Sequence, residues 1–352
     1  MKKGVFGLAI LVAAAVAIAC FVCLAGASTF VPETNQDELS TLLEGCRSAV
    51  AAVHSGQGKA IYYQWSQTDT GGVRETETAY QVVFLGERFK LTAEEKFIKN
   101  LPAEPLPTDA VLISPGSTLT RQVAFDGEKV TRFTPQSNEA TVGDRRTSFG
   151  RIGMQDFENR VSVIGDGLLN PETWTKLGPP HYIRSAPRIV GRENIEGDDC
   201  VVLEMTLTRQ ADPGQGIVHT FWFWVNPAKG FTVPRKCNWI KGGTYPEKTL
   251  LSETEVAVRQ YADGLWGPAK ETVTGHRLNS TSGEYFKDQY YVTTYDADLQ
   301  INAPVSDSEL TLTLPSGTTV TNELLQETYT FAVESQAVGG QKVGKFILTY
   351  VR

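Results

Sequence analysis

The residues able to do chemistry are few and scattered. The four histidines, His54, His181, His219 and His276, form no H-x-H or HExxH arrangement and have no acid at a ligand spacing, so the sequence offers no metal centre. No G-x-S-x-G elbow, S-x-x-K pair or phosphate-cradling glycine loop is present, which removes the usual signatures of a serine nucleophile or a nucleotide site. Gly165-Asp166-Gly167 and Gly197-Asp198-Asp199 carry carboxylates, but turns select Asp and Gly for backbone reasons alone. Cys20 and Cys23 fall in an apolar leader; the remaining Cys46, Cys200 and Cys237 are odd in number and cannot all pair within one molecule. Strand parity turns Cys200 away from the face of Cys237, so Cys46 is the expected partner of Cys237 if a disulfide forms. The sequence reads as a binding protein, not an enzyme, and calls for no cofactor.

The leader says where the protein works. Met1-Lys2-Lys3 supplies a positive start, Val5 to Leu24 is almost unbroken apolar chain, and Ala25-Gly26-Ala27 has the small-x-small form of a signal-peptidase site. Residues 1–27 are expected to be a signal peptide, with an inner-membrane anchor and lipidation at Cys20, in Ala17-Ile18-Ala19-Cys20, as the alternatives. All three put the folded part outside the cytoplasm, in the periplasm.

Composition narrows the partners. The whole chain carries 33 basic and 40 acidic residues; taking away Lys2 and Lys3 with the leader leaves 31 against 40, a net charge near −9. An acidic protein is attracted neither to nucleic acid nor to an anionic lipid surface. At 41% hydrophobic and 21% charged residues the rest is an ordinary globular chain with a large core in prospect.

One helix must come early. Leu39, Leu42, Leu43, Cys46, Ala49, Val50 and Val53 recur at helical spacing on one stripe, after an N-cap region at Asn35-Gln36-Asp37 and before Gly56 and Gly58, which end it. From Lys59 the chain reads as an antiparallel meander punctuated by turns such as Asp126-Gly127, Glu196-Gly197-Asp198 and Asn226-Pro227-Ala228-Lys229-Gly230. A Pro-rich stretch, 99–118, and a stretch at 147–182 with a short helix expected between Met154 and Ile164 interrupt it. The two-residue period groups Ile61, Tyr63 and Trp65 on one buried face; then Tyr80, Val82 and Phe84; then Val201, Leu203, Met205 and Leu207; then Phe231, Val233, Cys237 and Trp239. Phe221-Trp222-Phe223-Trp224-Val225 is apolar on both faces, as in a central strand covered on each side or bearing an exposed aromatic row. A strongly apolar sheet face with one long amphipathic helix suits an apolar cavity under a movable cover.

In this order the pieces resemble the periplasmic lipoprotein carriers and receptors of the LolA/LolB type and their relative, the regulatory module RseB. The resemblance rests on the opening helix and hairpin, 37–54 and 59–91; on Ala124-Phe125-Asp126-Gly127-Glu128-Lys129-Val130 with Phe133-Thr134-Pro135; and on Val190-Gly191-Arg192-Glu193-Asn194-Ile195-Glu196-Gly197 leading into Cys200-Val201-Val202-Leu203-Glu204. Phe223-Trp224-Val225-Asn226-Pro227-Ala228-Lys229-Gly230, Tyr261-Ala262-Asp263-Gly264-Leu265-Trp266-Gly267-Pro268 and Leu310 to Val320 complete it.

The resemblance implies a mainly β (α+β) fold: a curved antiparallel sheet forming an unclosed half-barrel, with helices covering the concave face. It implies a carrier domain over 28–322, beyond which 323–352 reads as an added C-terminal hairpin. It also implies an acyl lipid or lipoprotein as ligand, a partner in the inner or outer membrane, and a role in lipoprotein sorting to the outer membrane or, alternatively, in envelope sensing. The cavity would be lined by Leu39, Leu42, Leu43, Cys46, Val50, Val53, Ile61, Tyr63, Trp65, Tyr80, Val82, Phe84, Leu203, Met205, Phe231, Val233 and Trp239. Arg88 sits where the family's strand arginine latches the helical lid. A regular strand would give it the face of Tyr80, Val82 and Phe84; a bulge at Gly86 would turn Phe89 and Leu91 inward and send Arg88 to solvent.

Overall fold

The structure is a computed structural model and describes residues 36–68, 71–101, 115–144, 182–209, 216–279, 282–338 and 341–350. The leader, Cys20, Asp166, His181 and the short helix expected at Met154 to Ile164 lie outside these residues.

Helix α1 (Gln36–Ala51) opens the described chain, with Asp37 and Glu38 in its first turn, where carboxylates complement the helix dipole. The strands that follow are β1 (Ser55–Gln67), β2 (Val73–Leu85), β3 (Arg88–Leu101), β4 (Thr118–Phe125), β5 (Lys129–Thr134) and β6 (Glu139–Asp144). Then come β7 (Tyr182–Arg184), β8 (Arg188–Ile195), β9 (Asp198–Arg209), β10 (Ile217–Asn226), β11 (Thr232–Gly242), β12 (Tyr245–Gln260), β13 (Trp266–Leu278), β14 (Tyr285–Tyr295) and β15 (Gln300–Ile301). A one-turn helix α2 (Asp307–Leu310), β16 (Thr318–Asn322), β17 (Glu327–Val338) and β18 (Gln341–Tyr350) complete it.

All eighteen strands join one sheet. From β1 the pairing runs one way through β2, β3, β4, β5 and β6. The other way it runs through β14, β13, β12, β11, β10 and β9, with β7 and β8 both on β9. Each of these ladders is antiparallel; β16 then pairs in parallel with β6 and carries the β17–β18 hairpin outward. The sheet is unclosed among the described residues, since the β7/β8 end and β18 do not pair with each other.

Local chemistry sets the turns. Asp126 Oδ1 accepts from the backbone of Glu128 and Lys129, both at 2.8 Å, closing β4 onto β5. Asn226 accepts from Lys229 N at 3.1 Å over the 3-10 turn Pro227–Lys229. Gly56 and Gly58 do not end α1, which stops at Ala51. They lie in β1, where a Cβ on Gly58 would come within 2.5 Å of the Leu299 side chain and one on Gly56 equally near Phe84. These glycines let Leu299 and β15 close over the start of β1.

Residues directly opposite across a ladder share a face, and following them from β1 to β9 puts two apolar clusters on the same side. One joins Ala60, Val82, Phe89, Leu91, Val123, Phe125, Val130, Tyr295, Leu299 and Ile301. The other is made by α1 lying against β9–β11. A third, with Cys200, Val202, Trp224 and Cys237 at its centre, occupies the opposite side of β9–β11. Phe221 to Val225 is thus a strand covered on both faces.

Candidate functional site

The site is built where α1 meets the sheet. Leu39, Leu42 and Cys46 are buried in the α1 stripe, with Leu43, Ala49 and Val50 partly buried beside them. Beneath them β9 contributes Val201, Leu203, Met205 and Leu207, and β10 contributes Phe221, Phe223 and Val225. Val233 of β11 and Phe231 finish this floor; a Cβ on Gly45 would strike the Phe231 ring at 2.3 Å, so α1 can approach only because residue 45 has no side chain. Phe223, Leu203, Val225 and Cys46 have no exposed surface. Burial pushes the Cys46 thiol up to about 12, with the Arg47 charge acting weakly the other way.

Polar ties fix the two ends of α1. Near its start Arg192 of β8 pairs with Glu38. At its end Asn302 donates to Ala52 O at 2.8 Å and accepts from His54 N at 3.0 Å. Val53, one residue on, packs into the first cluster. At the rim of the floor His219 stacks on Phe221, with centroids 6.1 Å apart, and meets Asn238 Oδ1 at 3.3 Å. Burial lowers its pKa below the ordinary 6.5, and the Asn238 contact works in the opposite sense.

The expected cavity residues therefore divide three ways. Leu39, Leu42, Leu43, Cys46, Val50, Leu203, Met205, Phe231 and Val233 come together under α1. Val53, Tyr80, Val82 and Phe84 belong to the neighbouring cluster on the same side. Ile61, Tyr63, Trp65 and Trp239 are on the other side of the sheet.

The first correction concerns β1. The run from Ala60 to Tyr63 is apolar at both parities, and it is Ala60, not Ile61, that pairs with Tyr80. Ile61 is left 44% exposed, and Tyr63 bonds Glu75 at 2.9 Å on the outer side. The second concerns β11. A bulge opposite Trp224 and Asn226 shifts the register by one residue, so Val233 faces α1 while Cys237 and Trp239 face away. Cys200 and Cys237 consequently share a side, opposite to Cys46, and all three are free thiols. The Cys46–Cys237 pairing does not exist.

Arg88 is the third. Gly86, with φ of +58°, makes a tight turn between β2 and β3; Phe89 and Leu91 point inward and are buried, and Arg88 points out. Its partner is the carboxylate of Asp307 in α2, at 2.8 Å, not the backbone of a covering helix.

Elsewhere on the described surface a recess of about 200 Å³ is lined by Gln57, Gly58, Lys59, Gln81, Val82, Val83, Asp298 and Gln300. That is smaller than the roughly 300–1,000 Å³ of most ligand pockets. Among the described residues no group of three or more His, Cys, Asp or Glu is placed to hold a metal ion, and no helix is long and apolar enough to cross a membrane.

No family model matches the chain, and no curated protein matches it. Among solved structures it is similar to a DUF1329 family protein from Desulfovibrio piger, with 14% identity, a TM-score of 0.37, and coverage of 77% of this chain and 96% of that one. It is also similar to a protein described as an outer membrane lipoprotein-sorting domain, from Vibrio parahaemolyticus, with 12% identity, a TM-score of 0.36, and coverage of 76% and 95%. Likeness of this degree says nothing of ligand or activity.

Proposed function

We propose that this chain is an extracytoplasmic binding protein that takes the acyl chains of a lipid or lipoprotein onto the β9–β11 floor when α1 lifts from it. The observation that carries the reading is the contact itself: a continuous apolar floor covered, among the described residues, by one amphipathic helix with polar ties at both of its ends. The leader at residues 1–27 and the ordered sequence resemblance to lipoprotein carriers support the compartment and the ligand class.

The magnitudes are compatible with exchange. Exchanging α1 for a ligand that keeps the floor covered moves chiefly Leu39, Leu42 and the smaller Cys46 of the helix into water, at roughly 6 kcal/mol in all. An acyl chain recovers about 0.8 kcal/mol per methylene, so roughly eight buried methylenes balance the loss and longer chains exceed it. Because α1 remains covalently attached, it can settle back when the ligand leaves, and no covalent bond need be made or broken.

Native mass spectrometry of the protein taken from its own envelope tests the reading. One co-purifying acyl lipid, exchangeable for an added lipopeptide, is expected. A protein that comes out empty and takes up no lipopeptide would sink it.

A further inference from the structure

The side of the sheet away from α1 carries a feature that the acyl-binding reading does not use. The rings of Trp222 and Trp239 meet edge to face, with centroids 4.8 Å apart and planes at 63°. The ammonium of Lys248 lies 5.0 Å from the first centroid and 4.9 Å from the second, so the cation and the two rings form a nearly equilateral triangle. The Trp222 indole donates to Glu204 Oε2 at 2.9 Å, which fixes that ring and brings a carboxylate beside the cation. Burial works against charge on Glu204, but the bonds from Trp222 and Arg188, with Lys248 nearby, outweigh it and hold the carboxyl below its usual range. Leu250 and the buried Trp224 and Val202 back the rings from within the same cluster.

Two π faces at an angle and a neighbouring carboxylate make a receptor for a cation. The cation now in it is a poor match. A lysine ammonium is compact and strongly hydrated, and Lys248 itself is an exposed residue on a flexible stem. A quaternary ammonium gives up far less hydration for the same ring contacts and fills the angle with methyl groups.

We propose that Trp222, Trp239 and Glu204 form a binding site for a quaternary ammonium ion, which Lys248 occupies in this structure and yields to the ligand. The ion can be free or the headgroup of a choline lipid; the chemistry of recognition is the same. The site is on the opposite side of the sheet from α1, so its fate is independent of that of the acyl-binding reading.

The test is a titration of the full chain, labelled with nitrogen-15 in its tryptophans, with tetramethylammonium chloride, following the indole N–H resonances. Those of Trp222 and Trp239 are expected to move together and to saturate in the millimolar range. Matched sodium chloride and the neutral choline isostere 3,3-dimethylbutanol should leave them in place. Lys248→Ala removes the internal competitor and should tighten binding by roughly three- to tenfold. Trp239→Leu, which keeps apolar contact with Leu250, should weaken it by roughly fivefold or more. Sedimentation with phosphatidylcholine but not phosphatidylglycerol vesicles would assign the site to the headgroup, and its failure beside a positive titration to the free ion. No response in Lys248→Ala, or an equal response to the neutral isostere, overturns the proposal.

Discussion

Asn302 closes the end of α1 from 250 residues away, with its Nδ2 2.8 Å from Ala52 O. The same carboxamide accepts from His54 N, and its backbone sits at φ of +58°, a conformation that asparagine tolerates better than most residues. One side chain therefore satisfies both a free carbonyl at the helix end and the amide of His54 two residues on. The joint on which α1 would turn is a defined pair of hydrogen bonds.

Asn302→Ala removes both bonds and should cost about 1–3 kcal/mol. Asn302→Asp keeps the acceptor for His54 but sets an anion against the Ala52 carbonyl, and should cost at least as much. Denaturant midpoints measure the loss. Amide exchange in α1 should quicken more than in β2 or β3, because the change loosens the joint rather than the sheet.

Leu42→Ala should lose about 2–4 kcal/mol by opening a cavity over the floor, whereas Ile61→Thr, at an equally apolar sequence position, should lie within about 0.5 kcal/mol of the parent. Paired chemical denaturation curves check this. Equal losses would mean that the face assignment of β1 is wrong.

The same contrast marks how far the sequence carries. The α1 stripe is legible because it is apolar at one period only, and the β9 face because Glu204, Thr206 and Thr208 mark the opposite parity; Phe221 to Val225, with no polar parity, fits either a doubly covered strand or an exposed aromatic row, and the structure shows the first. From Ala60 to Tyr63 both parities are apolar, and the bulk of Ile61, Tyr63 and Trp65 against Gln64 favours the wrong one; only the partner strands decide. Trp239 falls on the other side because parity cannot be carried past a bulge, and the one opposite Trp224 and Asn226 is marked in the sequence by Pro234 alone, since a proline inside a central strand signals a bulge without fixing its register. Asn302, Arg192 and Glu38 could not have been found at all, since their roles exist only between elements far apart in the chain.

The Arg192–Glu38 pair is half exposed, with side-chain exposures of 52% and 37%, so it should contribute no more than about 1 kcal/mol to stability. Its effect should appear in opening instead. Arg192→Glu should raise the exchange rate of the first α1 turns with little change in melting temperature, and the double variant with Glu38→Arg should restore it. A large fall in melting temperature in the single variant would show the pair to be structural.

His219 predicts an acid limit. Its folded pKa is lowered, chiefly by burial, so the unfolded chain binds a proton near 6.5 while the folded one still resists it. The stability that neutral His219 contributes is complete above about 6.5 and declines as the pH falls through the lowered folded value. Melting temperatures between pH 7.5 and 5 should fall less steeply in His219→Phe than in the parent.

Cys46 is the reporter for the lifting of α1. It has no exposed surface under α1, and burial holds its thiol near 12, so a thiol reagent should reach it only when the helix lifts. Site-resolved labelling, read by peptide mass mapping with and without a palmitoylated lipopeptide, compares it with Cys200 and Cys237 on the far side of the sheet. Lipopeptide should accelerate labelling of Cys46 severalfold and leave the other two unchanged. Unaltered or slower labelling of Cys46 under saturating lipopeptide would contradict the lifting of α1.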